Sequence, residues 1–352
     1  MIFRRRFCLL LGFALVLAMR FDEVAAQEIR FSQYQAAPLL LNPAAAGSVA
    51  DPTLGTVYRL QRLGILTYRT GYFSAMLPLY SGPRTHGSLP GGGLGVGFLS
   101  DLAGENSEWQ TYQVDVSGAY TLGLNRVRTQ FVSVGLQASY LRTRIDFSAL
   151  TWPSQITYRG FEGPAPPSGT YASQASALRL NAGFLWVYDP LRNPMKKLAT
   201  YQLHLGASVS NLNRPVFEFL PNGNSLPLVF KVHGGGQFRV SERLDVSPGF
   251  FIIAQEALAQ YTGGATLGVR VLSNRPEVPA DLRLLLGGWY RYNDAFVLLL
   301  GAQTSQFDAA LSYDTNATSA RTGIVSQGAL ELSVAYRFLT KNTSILPPSP
   351  LF

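Results

Sequence analysis

The chain has 352 residues, 14% of them charged, a formal net charge of +8 and 47% hydrophobic residues. Charge is well below the roughly 25% of soluble domains, yet the body of the chain lacks the run of about 20 apolar residues that a membrane helix needs. The positive excess is scattered and forms no dense basic cluster, which disfavours a nucleic-acid site.

Arg4, Arg5 and Arg6 precede an apolar run from Cys8 to Met19. Val24-Ala25-Ala26 then supplies the small residues of a cleavage site before Gln27, so residues 1–26 are predicted to be a signal peptide. Cys8 is the only cysteine and lies before the apolar run, which makes it a poor lipoprotein cysteine. Its removal leaves a mature chain without thiol or disulfide chemistry. Four arginines and two acidic residues leave with it, so the net charge falls to about +6.

Residues 27–55 do not alternate. They hold Phe31-Ser32-Gln33-Tyr34, then Asn42-Pro43 and Gly47. Asn-Pro favours a turn, and Gly47 is expected to allow a positive φ. Two readings stand: a segment packed on or in a barrel, or a contact for a periplasmic partner.

From Thr56 the polarity changes every residue. Strand candidates are Thr56–Gln61, Gly71–Leu79, Gly91–Leu99, Trp109–Leu122, Thr129–Arg142, Ser176–Tyr188 and Tyr201–Asn211. Leu228–Val240, Leu244–Ile253, Gln260–Leu272, Leu282–Tyr292, Phe296–Ala302, Ser305–Tyr313 and Gly328–Phe338 follow. A strand turns successive side chains to opposite faces, so each run has one apolar face and one polar or small face. In Gly91–Leu99, glycines alternate with Leu94, Val96 and Phe98, a bare inner face suited to close approach of another segment. Arg144 to Ala175, rich in proline, is expected to be a long extracellular loop. Lys or Arg on a lipid face would cost about 2–4 kcal/mol at mid-depth, which assigns Lys231 and Arg239 inward. The predicted fold is all-β: a closed transmembrane antiparallel barrel of about 14 strands (roughly 12–16) with a packed N-terminal segment. The closing strand is expected to end near Phe338, pair with Thr56–Gln61, and leave the Pro-rich residues 339–352 in the periplasm.

Several short motifs resemble the PorP/SprF membrane proteins of the type IX secretion system. Phe31-Ser32-Gln33-Tyr34 with Leu41-Asn42-Pro43-Ala44 and Gly47 resembles their mature N-terminus, although Ala45 stands where a Tyr is usual. Tyr58-Arg59 with Gln61, Gly93-Leu94-Gly95 with Asp101 and Gly104, and Gly287 with Tyr290-Arg291 and Asp294-Ala295 continue the likeness. Leu311-Ser312-Tyr313-Asp314 and Gly328 with Glu331 complete it. Arg62 and Ala329-Leu330 depart from the usual residues and suggest a divergent paralogue. The resemblance implies an outer-membrane secretion component, in some members serving gliding motility. Implied partners are the secretion machinery, C-terminal-domain cargo or a surface adhesin, and periplasmic peptidoglycan-linking proteins, with outer-membrane lipid around the barrel.

The inward charges in these motifs, Arg59, Asp101, Arg291, Asp314 and Glu331, are expected to pair with one another. Such a network either fixes strand register and plugs the pore or anchors the N-terminal segment or cargo. Two other classes compete. A passive pore or small-hydrophobe channel would use an open lumen. A hydrolase would need a Ser-His pair with an orienting group. His86, His204 and His233 are the only histidines; His204 shares its inner face with Ser208 and Ser210, an ordinary lumen lining. No spacing supplies a metal set around His204 and His233. No catalytic residue, metal or cofactor is assigned.

Overall fold

The computed structural model describes residues 31–63, 66–82, 89–126, 128–147, 156–157, 160–161, 173–190, 201–217, 224–256, 258–271, 282–316 and 326–339. The expected signal peptide with Cys8, His86, most of the 144–175 loop and the tail beyond Leu339 lie outside them.

Fourteen strands close into one antiparallel barrel. They are β1 (Thr53–Leu63), β2 (Leu66–Leu79), β3 (Gly92–Ala103), β4 (Trp109–Gly123), β5 (Gln130–Ile145), β6 (Gln174–Tyr188) and β7 (Tyr201–Ser210). Then come β8 (Val229–Arg239), β9 (Leu244–Gln255), β10 (Leu258–Arg270), β11 (Arg283–Arg291), β12 (Ala295–Gln303), β13 (Phe307–Asn316) and β14 (Ser326–Arg337). Each strand pairs with its neighbours in the chain, and β1 closes on β14 with Arg59 opposite Glu331. Phe338 adds a last bond, donating its N–H to Pro52 O at 2.9 Å. The first hairpin is where polarity misleads. β1 and β2 run on to Leu63 and Leu66, several residues past the alternating stretch. There the ladder rises beyond the hydrocarbon layer, so pairing continues while the demand for an apolar outer face lapses.

The exterior is apolar. Leu136, Leu298 and Leu300 are 66%, 61% and 60% exposed, whereas Asp115, Asp314 and Glu331 on the opposite face are fully buried. In water this pattern would be inverted; in lipid it is the stable one. Outward aromatics gather at both ends of the wall. Trp109, Tyr112, Tyr140, Tyr290 and Phe296 ring one end, and Tyr188, Tyr201, Phe238, Tyr336 and Phe338 the other. The two longest connections, between β5 and β6 and between β7 and β8, leave and rejoin the wall at the end away from Thr53 and Arg337. Long loops face outward in such barrels, so that end is extracellular and the end holding Thr53 and Arg337 is periplasmic.

Residues 31–52 run inside the lumen. They form a 3-10 turn (Tyr34–Ala36), a single helical turn (Pro38–Leu41) and a second 3-10 turn (Pro43–Gly47). Gln33 and Ser32 sit near the extracellular half, and Thr53 begins β1 at the periplasmic end, so the segment descends through the barrel. Glycines open its path. A Cβ on Gly93 would lie 1.8 Å from Ala46 O, one on Gly183 2.0 Å from Asn42 Oδ1, and one on Gly135 2.4 Å from Ala44 N. The bare face of β3 expected from the sequence is thus covered by the lumenal segment. Gly47 is corrected in its reason. It is not among the residues with positive φ. Its Cβ would lie 2.5 Å from both Ser133 Oγ and Thr121 Oγ1, so space and not backbone conformation demands glycine. We expect Gly93→Val to unseat this part of the segment, since backbone on both sides cannot yield. Overpacking of this kind costs about 1–3 kcal/mol or more; a lowered unfolding midpoint in urea with faster proteolysis near Ala46 would show it.

Candidate functional site

The site is the seam where residues 31–34 meet β1, β11, β13 and β14. Inward positions on a strand recur every second residue, so Glu331 and Ser333, Ser312 and Asp314, and Arg59 and Gln61 present their side chains to the lumen from adjacent strands. Arg291 enters from the top of β11.

Glu331 receives three donors. Ser32 N–H donates to Oε1 at 2.7 Å, Gln33 N–H to Oε2 at 2.8 Å, and Arg59 adds a close ion pair to Oε1. The Ser32 hydroxyl is saturated: it donates to Asp314 Oδ2 at 2.5 Å and accepts from Arg59 Nη1 and Arg291 Nη1, each at 2.9 Å. One donor and two acceptor sites are all a hydroxyl has. Arg59 and Arg291 also reach Asp314 Oδ2 at 3.0 and 3.2 Å, and Arg291 pairs with Asp294 in the following turn. The four buried charges, Arg59, Arg291, Asp314 and Glu331, sum to zero. Gln33 completes the latch, donating to Ser312 Oγ at 2.9 Å and accepting from Ser333 Oγ at 2.6 Å.

Asp101, expected in this network, stands apart. Its Oδ1 accepts from Thr70 at 2.5 Å. Thr70 lies between it and Arg59 in the ladder, so Asp101 is two strands away, about 10 Å. The motif places it on the right face but not in reach.

The rest of the segment is held by apolar contacts and carbonyl bonds. Phe31 packs with Ala37, Val57, Tyr72 and Leu99. Tyr34 stacks on Phe251 with ring centroids 5.1 Å apart and meets Trp289 edge-on at 5.6 Å. Asn42 caps the second 3-10 turn by accepting from Ala44 N at 3.0 Å, donates to Phe184 O at 2.8 Å, and donates to His233 Nε2 at 3.2 Å. Pro43 starts that turn, where its missing N–H costs nothing. Side chains that read only as lumen lining take up the segment's carbonyls. Lys231 donates to Leu40 O at 2.8 Å, Ser208 to Leu41 O at 2.7 Å, Gln137 to Leu39 O at 3.1 Å and Ser133 to Ala44 O at 2.9 Å. Their signal in the sequence was inward polarity alone.

His204 and His233 do face each other, with ring centroids 6.0 Å apart. Ser208 gives its hydroxyl to Leu41 O and His233 accepts from Asn42, so both serve the segment. Among the described residues no group of three or more His, Cys, Asp or Glu is placed to hold a metal ion. A second set of ion pairs lies near the periplasmic end. Arg337 forks onto Asp308 at 2.6 Å, and Arg283 pairs with Asp245 and donates to Gln303 Oε1 at 2.5 Å.

An apolar wall, aromatic girdles and a lumen occupied by the chain's own N-terminal segment define an outer-membrane β-barrel. The family model of the type IX secretion system membrane protein PorP/SprF matches residues 23–336, and the chain belongs to that family. No curated protein matches the chain. Solved structures with a similar outline include the Ralstonia pickettii toluene transporter TbuX, at 11% identity and a TM-score of 0.48, covering 86% of this chain and 94% of that one. The Pseudomonas putida toluene transporter TodX is similar at 10% identity and a TM-score of 0.48, covering 90% and 95%.

Glu331→Ala should destabilise the barrel by about 3–5 kcal/mol, because it removes one of the two carboxylates paired with Arg59 and leaves the Ser32 and Gln33 N–H groups without acceptors. Replacing Arg59 and Glu331 together by Met should recover only part of that loss, because the Ser32 and Gln33 N–H groups still lack acceptors and Asp314 loses Arg59. Urea unfolding of the purified protein in lipid vesicles measures both.

Proposed function

We propose that this protein is a non-enzymatic accessory of type IX secretion. It would aid export or surface attachment of C-terminal-domain cargo, including a gliding-type adhesin, and dock periplasmic machinery. The observation that carries the reading is the lumen itself. Residues 31–47 cross it, and a charge-balanced latch at Ser32 and Gln33 holds them there. A barrel filled in this way suits a docking and assembly role better than free conduction. Family membership supports a place beside the secretion machinery. The corresponding organisation is a signal peptide over 1–26, a lumenal segment that ends at 52 rather than the expected 55, a barrel from Thr53 to Arg337 and a C-terminal tail. Phe31, Ser32, Gln33, Tyr34, Asn42, Pro43 and Gly47 are read as the segment's anchoring set. Among the latch charges, Arg59, Arg291, Asp314 and Glu331 act directly, and Asp101 only supports the wall.

The alternative is a passive pore or small-hydrophobe channel. It draws on a space of about 150 Å³ that the segment leaves empty. Two experiments separate these readings. Deletion of the gene should strip one or a few C-terminal-domain proteins from the cell surface; an unchanged surface proteome would refute the secretion role. In planar bilayers the purified protein should show no steady open conductance. A variant lacking residues 31–47 should conduct, and a steadily open intact protein would favour the channel.

A further inference from the structure

The latch lies high in the barrel. Arg291 is the last residue of β11 and follows Tyr290, a member of the outer aromatic girdle. Asp314 stands two residues before the extracellular end of β13. Toward β3, Phe31 packs on Leu99, next to Ser100, which pairs with the girdle residue Tyr112. Residues 31–33 are therefore held where the wall leaves the hydrocarbon layer on its extracellular side. The segment joins β1 at Thr53, at the opposite, periplasmic end.

The chain ahead of Phe31 has two ways out of the lumen: up through the extracellular mouth, or back down toward the periplasm. The way down is filled. Ala37, Leu39, Asn42, Ala44 and Ala46 of the same segment are buried beneath the latch, and the wall glycines meet them closely. The space left on the side from β8 round to β2 is about 150 Å³. It takes one group about the size of a benzene ring. A returning stretch of chain, with an N–H and a C=O to satisfy at every residue, does not fit there. The latch also fixes the point of exit. Ser32 is held by its N–H on Glu331 and by its hydroxyl among Asp314, Arg59 and Arg291, so it cannot shift down the lumen without breaking four contacts. The sequence agrees with an upward exit. Residues 27–30 separate the expected cleavage site from Phe31, and two of them, Glu28 and Arg30, carry charge. Unpaired charges are costly in the lumen and cheap in water. Four residues span at most about 14 Å, enough to clear the mouth from the level of the girdle.

We propose that the chain ahead of Phe31 leaves through the extracellular mouth, so that the end created by leader removal is presented at the outer surface of the cell. The lumenal segment is then a through-barrel strap. Its free end is outside, its middle fills the lumen, and its other end is β1 at the periplasmic face. This placement rests on the latch, the expected leader and the orientation of the wall, and is independent of the secretion reading.

The test uses single-cysteine variants of the full chain in living cells; the native Cys8 lies in the expected leader. Ile29→Cys reports on the free end. Glu105→Cys, exposed in the β3–β4 turn, marks the extracellular side, and Arg126→Cys, exposed in the β4–β5 turn, marks the periplasmic side. Cells are treated with a polyethylene-glycol maleimide too large to cross the outer membrane, before and after that membrane is permeabilised. In intact cells Ile29→Cys should be labelled to the same extent as Glu105→Cys, and Arg126→Cys should stay unlabelled until permeabilisation. Heat-modifiable gel mobility identifies the labelled molecules as folded barrels. Ile29→Cys labelled only after permeabilisation, or in neither state, would overturn the proposal. Labelling of Arg126→Cys in intact cells would overturn it as well, because the orientation of the wall would then be wrong.

Discussion

Glu331 carries a charge at a position with no access to water, and the rest of the lumen is arranged around that fact. A buried carboxylate is costly unless ion pairs and hydrogen bonds together replace its hydration. Arg59 supplies the opposite charge from the neighbouring strand, and the backbone of Ser32 and Gln33 supplies the remaining donors. Neither suffices alone. The wall therefore depends on the segment as much as the segment depends on the wall. Ser32 extends the dependence to Asp314 and Arg291, so that four strands and the N-terminus share one neutral cluster.

The second constraint is room. A barrel of 14 strands encloses more space than its own side chains fill on one side and less than a folded segment needs on the other. Glycines at 93, 135 and 183 resolve this locally by letting Ala46, Ala44 and Asn42 come against bare backbone. No such thinning serves the segment in the periplasmic half of β10 to β14, and a space of about 150 Å³ remains on that side. Closure on one side and vacancy on the other thus follow from where the glycines fall.

Much of this was legible in the residues. Alternation gave all 14 strands, their faces and the partner of the closing strand, because lipid outside and a polar lumen inside force the pattern. It failed at the β1–β2 hairpin, where the ladder outlasts the membrane. The residues Arg59, Arg291, Asp314 and Glu331 were read as a network because they are inward charges within the family-like motifs, and the structure joins them. Asp101 was misjoined because face is readable from parity while distance across strands is not. Ser208, Lys231 and Gln137 looked like plain lining, since nothing in a sequence marks which inward group will meet a carbonyl. The periplasmic ion pairs of Arg283 and Arg337 were missed for the same reason.

Residues 31–47 lie folded within the lumen against β3. A designed disulfide tests it most directly. A Cβ on Gly95 would lie 3.4 Å from that of Ala46, close to the spacing a disulfide requires. The only native cysteine, Cys8, lies in the expected leader. In the Ala46→Cys/Gly95→Cys variant, oxidation of the folded protein should link the two positions intramolecularly and nearly completely, with both single variants unlinked. Free thiols at both positions in the folded barrel would contradict the account.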